Sequence, residues 1–146
     1  MNDRAFAVGS AWRTLGYWMA TVMAVVQAVY ALQAFVDPAG FAAYRGTPIT
    51  GDAGAMWVHT YGSRTLFVAL VVALLLIRGE LATLKWVALI GIVMPISDAL
   101  VAIRAEAPLA VVLRHVATGL YLLITFVVIR RSSGRARSRE KIALTT

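Results

Sequence analysis

The sequence predicts an all-α fold: an integral membrane four-helix bundle with antiparallel, up-down neighbours. Three observations carry this. Of 146 residues, 60% are apolar and only 14% charged, whereas a soluble domain carries about a quarter charged residues. A water-soluble fold would expose much of that apolar surface; a bilayer solvates it on every side of a helix. The apolar residues also gather into four stretches near the ~20 residues that cross ~30 Å of hydrocarbon. Finally, two of the three connections are short enough to force antiparallel neighbours.

The first stretch, 15–36, carries no charge. Arg4 and Arg13 precede it as they would a signal peptide. It is long for a secretory apolar region, and Gln33-Ala34-Phe35-Val36-Asp37-Pro38 offers no small-residue cleavage pattern. It therefore reads as a retained helix. Segment 37–55 reads as a long loop, since Pro38, Gly40, Gly46, Pro48, Gly51 and Gly54 are all turn chemistry. The second stretch, 56–77, must tolerate Arg64, because its uncharged part is too short to span alone. A polar turn at 78–85 leads to the third, 86–103, which holds Asp98. A turn at 104–108 follows, with Pro108 placed to open the fourth stretch, 109–129. That stretch carries Arg114 and His115 near its start. Residues 1–131 thus form one four-span domain, and the Ser- and Arg-rich segment 132–146 reads as a disordered basic tail.

Charge sets an expected orientation. The N-terminus, the second-to-third turn and the tail share one side, which holds Arg4, Arg13, Arg78, Lys85 and six basic residues between Arg130 and Lys141. The other side holds Arg45 and Arg104. The positive-inside rule then puts both termini in the cytoplasm and the long loop outside. The same clustering turns the net charge of +7 away from nucleic acid and toward anionic lipid, at about 1 kcal/mol per basic residue near the surface.

Chemistry is narrowed further by what is missing. Without cysteine there is no disulfide, thiolate metal site or thiol nucleophile. His59 and His115 are the only histidines, and His59 lies about 7–8 Å outward of Arg64 along its helix. No metal site and no cofactor are expected.

Arg64, Asp98 and His115 are the strongly polar groups within the spans. An Arg or Asp at a helix centre costs about 2.5–3.5 kcal/mol, so such residues pair, line a cavity or work. All three fall about 9–12 Å below the outer surface by helical rise. Tyr61 lies one turn from Arg64, Thr118 and Gly119 share the His115 face, Gly91 lies on the Asp98 face, and Gln27 and Tyr30 form an i, i+3 pair. Glycines 91 and 119 are expected to let helices approach closely. Arg114 reads as reaching the outer headgroups at the flank of the same pocket.

These residues resemble a family of small four-helix membrane proteins known as a domain of unknown function and loosely similar to the DoxX-like proteins. The likeness rests on Pro38, Phe41 and Gly46-Thr47-Pro48 after the first helix, Gly62-Ser63-Arg64 in the second, Asp98-Ala99-Leu100 in the third, and Arg114-His115 with Gly119 in the fourth. It covers about residues 15–130. The resemblance implies the fold and a shared set of polar positions, and no activity.

Two function classes fit. In the first, a polar pocket in the outer half of the bundle binds, and in one version transforms, a hydrophobic small molecule that enters from the bilayer. Arg64 would orient an oxygen, and Asp98 and His115 would be the acid–base couple. Tyr61, Gln27, Tyr30, Arg114 and Thr118 would contact the ligand. In the second, the chain is a non-catalytic accessory subunit whose Arg64–Asp98 ion pair and His115 lock helix packing, with a membrane partner protein or a second copy on its outer faces. The question of an enzyme stays open between them. A transport path is disfavoured, since 68–76, 86–92 and 120–128 are almost purely apolar and no inverted repeat is evident.

Overall fold

The computed structural model describes residues 14–143. Six helices follow in order: α1 (Leu15–Val36), α2 (Pro38–Tyr44), α3 (Gly51–Ile77), α4 (Leu81–Gly91), α5 (Val93–Arg104) and α6 (Leu109–Ala143). Four helical stretches are long and apolar enough to cross a membrane: Leu15–Val36, Gly51–Ile77, Leu81–Arg104 and Leu109–Ser132. This is an all-α helical bundle, and the protein is a multi-pass membrane protein. Among the described residues thirty large apolar side chains are exposed, Leu70, Leu74 and Ile124 among them, as suits lipid rather than water.

Helices in a bilayer associate through close packing of small residues rather than through apolar burial. The inward face of α1 is built that way: Gly16, Ala20, Ala24, Ala31 and Ala34 are its buried residues. The partner face of α3 is Val58, Gly62, Thr65, Ala69, Val72 and Leu76, alternating steps of three and four. A Cβ on Gly62 would lie 3.0 Å from Ala34 Cβ, and one on Gly16 would lie 2.5 Å from Ile129 Cγ1. Those two glycines therefore set the α1–α3 and α1–α6 spacings. Gly91 and Gly119 do not have the role expected of them, since an added Cβ would meet nothing closer than 3.7 Å.

α1 packs chiefly on α3, and α6 packs on both α4 and α5. Hydroxyls inside the bundle are satisfied by their own helices: Thr65 donates to Tyr61 O at 3.0 Å and Thr125 to Tyr121 O at 2.8 Å. Tyr121 donates across to Met19 O at 3.0 Å, tying α6 to α1.

Four differences from the sequence expectation matter. Segment 37–55 is not all loop. The Asp37 side chain accepts from Gly40 N at 2.9 Å and Pro38 occupies the first turn, the usual start of a helix. The resulting α2 buries Phe41 and Ala42. Second, the turn after α3 is shorter than 78–85, because Gly79 at φ 68° reverses the chain and α4 begins at Leu81. Third, the third span is broken at Ile92. Pro95 has no N–H for the Gly91 carbonyl and its ring crowds that carbonyl. α3 packs against α4 but hardly against α5, so a gap opens between α3 and α5 at the end that carries α2. Fourth, the α6 backbone helix runs past the expected end of the fourth span at 129 to Ala143; residues 1–13 and 144–146 lie outside the described part.

Candidate functional site

α2 delivers the residue around which the site is built. Arg45, its C-cap, points into the bundle and forms an ion pair with Asp98 of α5. Its guanidinium lies over two rings, 5.4 Å from the centre of Tyr61 and 5.7 Å from that of Tyr30. Phe41 completes the cage, 5.6 Å from Tyr61 and 5.9 Å from Tyr30. Stacking on ring faces is how a cation is held where water is scarce. The chain turns back immediately afterwards. Gly46, at φ 82°, fits against α6 so tightly that a Cβ would lie 2.7 Å from Ala107 Cβ and 2.9 Å from Val111 Cγ1.

His115 of α6 is 4% exposed, and its Nδ1 lies 4.0 Å from Asp98 Oδ2. The same Asp98 oxygen, Oδ2, thus meets the Arg45 guanidinium and faces the His115 imidazole. A cavity of about 270 Å³ opens beside them. Its polar wall is Arg45, Asp98, His115 and Thr47; the rest is Phe41, Ala42, Ile49, Trp57, Val58, Tyr61 and Val101. One polar cluster in an apolar wall is the usual composition of a small-molecule site. It lies where α3 and α5 part, with the exposed Trp57 and Val101 at its edge.

The sequence-predicted residues divide. Asp98, His115 and Tyr61 meet at the cavity. Tyr30 stands behind Arg45 and lines no part of the wall. Arg114 is near but turned away: it donates to Tyr44 O at 3.0 Å and lies 4.0 Å from the centre of the Tyr44 ring. Gln27 and Thr118 line a second, deeper chamber. His59 stacks on Phe35 at 5.8 Å.

Arg64 is not brought to Asp98. It is exposed on the outer surface of α3, as are Thr60, Ser63 and Phe67. Gly62 and Thr65 are the residues that face inward, and at about 100° per residue Arg64 cannot share their direction. The Arg64–Asp98 ion pair expected from equal depth is replaced by Arg45–Asp98. Arg45 was missed because it falls in a segment rich in turn residues. The signal was present: Asp37-Pro38 as a helix start, then Phe41-Ala42 as an apolar face, carries a cation at its end.

No curated protein and no solved structure matches the chain. A family model described as a domain of unknown function, DUF4267, matches residues 24–129. That stretch takes in Tyr30, Arg45, Tyr61, Asp98 and His115, and nothing in the match supports a tie to DoxX-like proteins. The chain, a four-span membrane protein, belongs to the DUF4267 family.

Proposed function

We propose that the cavity beside Arg45, Asp98 and His115 binds a hydrophobic small molecule that arrives from the bilayer. The carrying observation is the wall itself: a cation, a carboxylate and an imidazole converge on one side of an otherwise apolar space. We further propose that both termini are cytoplasmic, on the positive-inside argument, so that the site lies in the outer half of the membrane. Arg45 takes the role first assigned to Arg64, directing a ligand oxygen. His115 Nδ1 and Asp98 Oδ2, 4.0 Å apart, are too far for a hydrogen bond; as an acid–base pair they would form one once a ligand excludes water. Turnover would then need a ligand with an acidic hydrogen or a leaving oxygen at that height.

A second reading has its own support. Arg45 and Asp98 are 53 residues apart in sequence, so their ion pair fastens the α1–α3 connection to α5. In an accessory subunit that fastening would be its whole purpose.

The test is mass spectrometry of extracts from gently purified wild type, Val101→Trp and Arg64→Ala. Val101 lines the cavity and is 52% exposed, so a tryptophan there fills the space at little cost to packing. The proposal expects an apolar molecule retained by wild type and Arg64→Ala and lost from Val101→Trp. Equal extracts from three folded proteins would favour the accessory subunit.

A further inference from the structure

About one helical turn deeper than the polar cluster, and sharing no wall residue with its cavity, lies a larger chamber of about 470 Å³. The register of three helices stacks the two spaces. Gln27 lies three residues below Tyr30, Pro95 three below Asp98, and Thr118 three below His115, and Gln27, Pro95 and Thr118 all line the chamber. Each step is a little less than one turn, about 4.5 Å, in the same direction along the bundle. The far end is marked by Thr125, ten residues beyond His115 or about 15 Å.

The chamber is not sealed. Ile90 and Val93 line it at the α4–α5 break and are 70% and 63% exposed. A bilayer molecule can enter there sideways. The wall is apolar except for Gln27, Thr118 and Thr125. Thr118 and Thr125 donate their hydroxyls to Arg114 O and Tyr121 O, which leaves oxygens able to accept. Gln27 makes no side-chain hydrogen bond among the described residues. Its amide is half-buried and reachable from the chamber, so a ligand oxygen at its height would give it a partner.

We propose that the two spaces hold one amphiphile: an uncharged, oxygen-bearing head between Gln27 and the His115–Asp98 cluster, and a single apolar chain filling the chamber below. The head is uncharged because Arg45 and Asp98 already neutralise one another. This rests on reading the upper cavity as a ligand site.

The probe is a long-chain fatty alcohol carrying a diazirine near mid-chain, photolysed on the full protein in nanodiscs, with crosslinks mapped by peptide mass spectrometry. Gly91→Leu fills the chamber and should fold, since a Cβ at Gly91 meets only Leu122 Cδ1 at 3.7 Å. Met94→Trp fills it from the other side. The expected result is crosslinking to Met23 and Leu122, and to Met94 where it is retained, that falls by about tenfold, equivalent to about 1.4 kcal/mol, in either variant or with excess unlabelled alcohol. Lipid-facing Leu70 and Ile124 should label alike in every sample. Chamber labelling unmoved by both variants, or no stronger than at Leu70, would overturn the proposal. Labelling confined to Trp57 and Val101 would overturn the chamber while leaving the upper cavity as a site. Labelling at neither level would overturn both.

Discussion

Separating Arg45 from Asp98 should destabilise the bundle, and the size can be worked from the structure. Exposed ion pairs contribute about 0.2–1 kcal/mol, and breaking a fully buried one costs about 3–5 kcal/mol. Here the side chains are 13% and 30% exposed, which places Asp98→Asn between those limits, at about 2 kcal/mol. Arg45→Gln also loses its contacts with the rings of Tyr30 and Tyr61, about 0.5–1 kcal/mol more. The double variant should cost less than the sum, with a coupling of about 1.5–2 kcal/mol, because each single change strands the other charge. Arg64→Gln combined with Asp98→Asn should be additive within about 0.5 kcal/mol, since Arg64 faces away from the bundle. Reversible unfolding in mixed micelles, titrated with SDS and followed by circular dichroism, reads all five variants. Coupling of Asp98 to Arg64, or none to Arg45, would refute the assignment.

Gly46→Ala should cost about 2–3 kcal/mol, for a left-handed backbone and a Cβ driven into Ala107 and Val111; the same unfolding titration checks it. Among helix glycines, Gly62→Ala should destabilise by about 1–2 kcal/mol against Ala34, while Gly119→Ala should be neutral or better, with 3.7 Å to Pro95. The reverse order would mean that α1 and α3 are not the tight pair. Orientation is open to cysteine labelling, which the absence of native cysteine makes clean. Thr50→Cys, at an N-cap with no side-chain bond, should react with an impermeant maleimide in intact cells. Ala82→Cys, exposed in the first turn of α4, should react only after permeabilisation.

Much of the fold was legible because length and apolarity alone select membrane helices, and the turn at Pro108 was marked by its own chemistry. Azimuth was not legible. In a soluble helix the apolar stripe reveals which side faces inward. Here lipid and protein interior are both apolar, so Leu70 facing out and Val72 facing in look alike in sequence. The shared level of Asp98 and His115 could therefore be read from residue counts while the direction of Arg64 could not. Small residues carried the missing information: Gly16, Ala20, Ala24, Ala31 and Ala34 trace the buried face of α1, and Gly62 with Thr65 fixes the phase of α3. The break at Ile92 had a visible cause in Pro95, whereas its effect, the parting of α3 and α5, depends on packing no single segment encodes.

The most direct test of the ligand site uses the two histidines as reporters. With ¹⁵N-histidine labelling in bilayers, the spectrum contains only His59 and His115. One histidine lines the cavity and the other stacks on Phe35 outside it. Adding the apolar fraction of a membrane extract to stripped protein should shift the imidazole signals of His115 and leave those of His59 in place. Signals that both stay fixed, or that move together, would contradict a ligand at the Arg45–Asp98–His115 cavity.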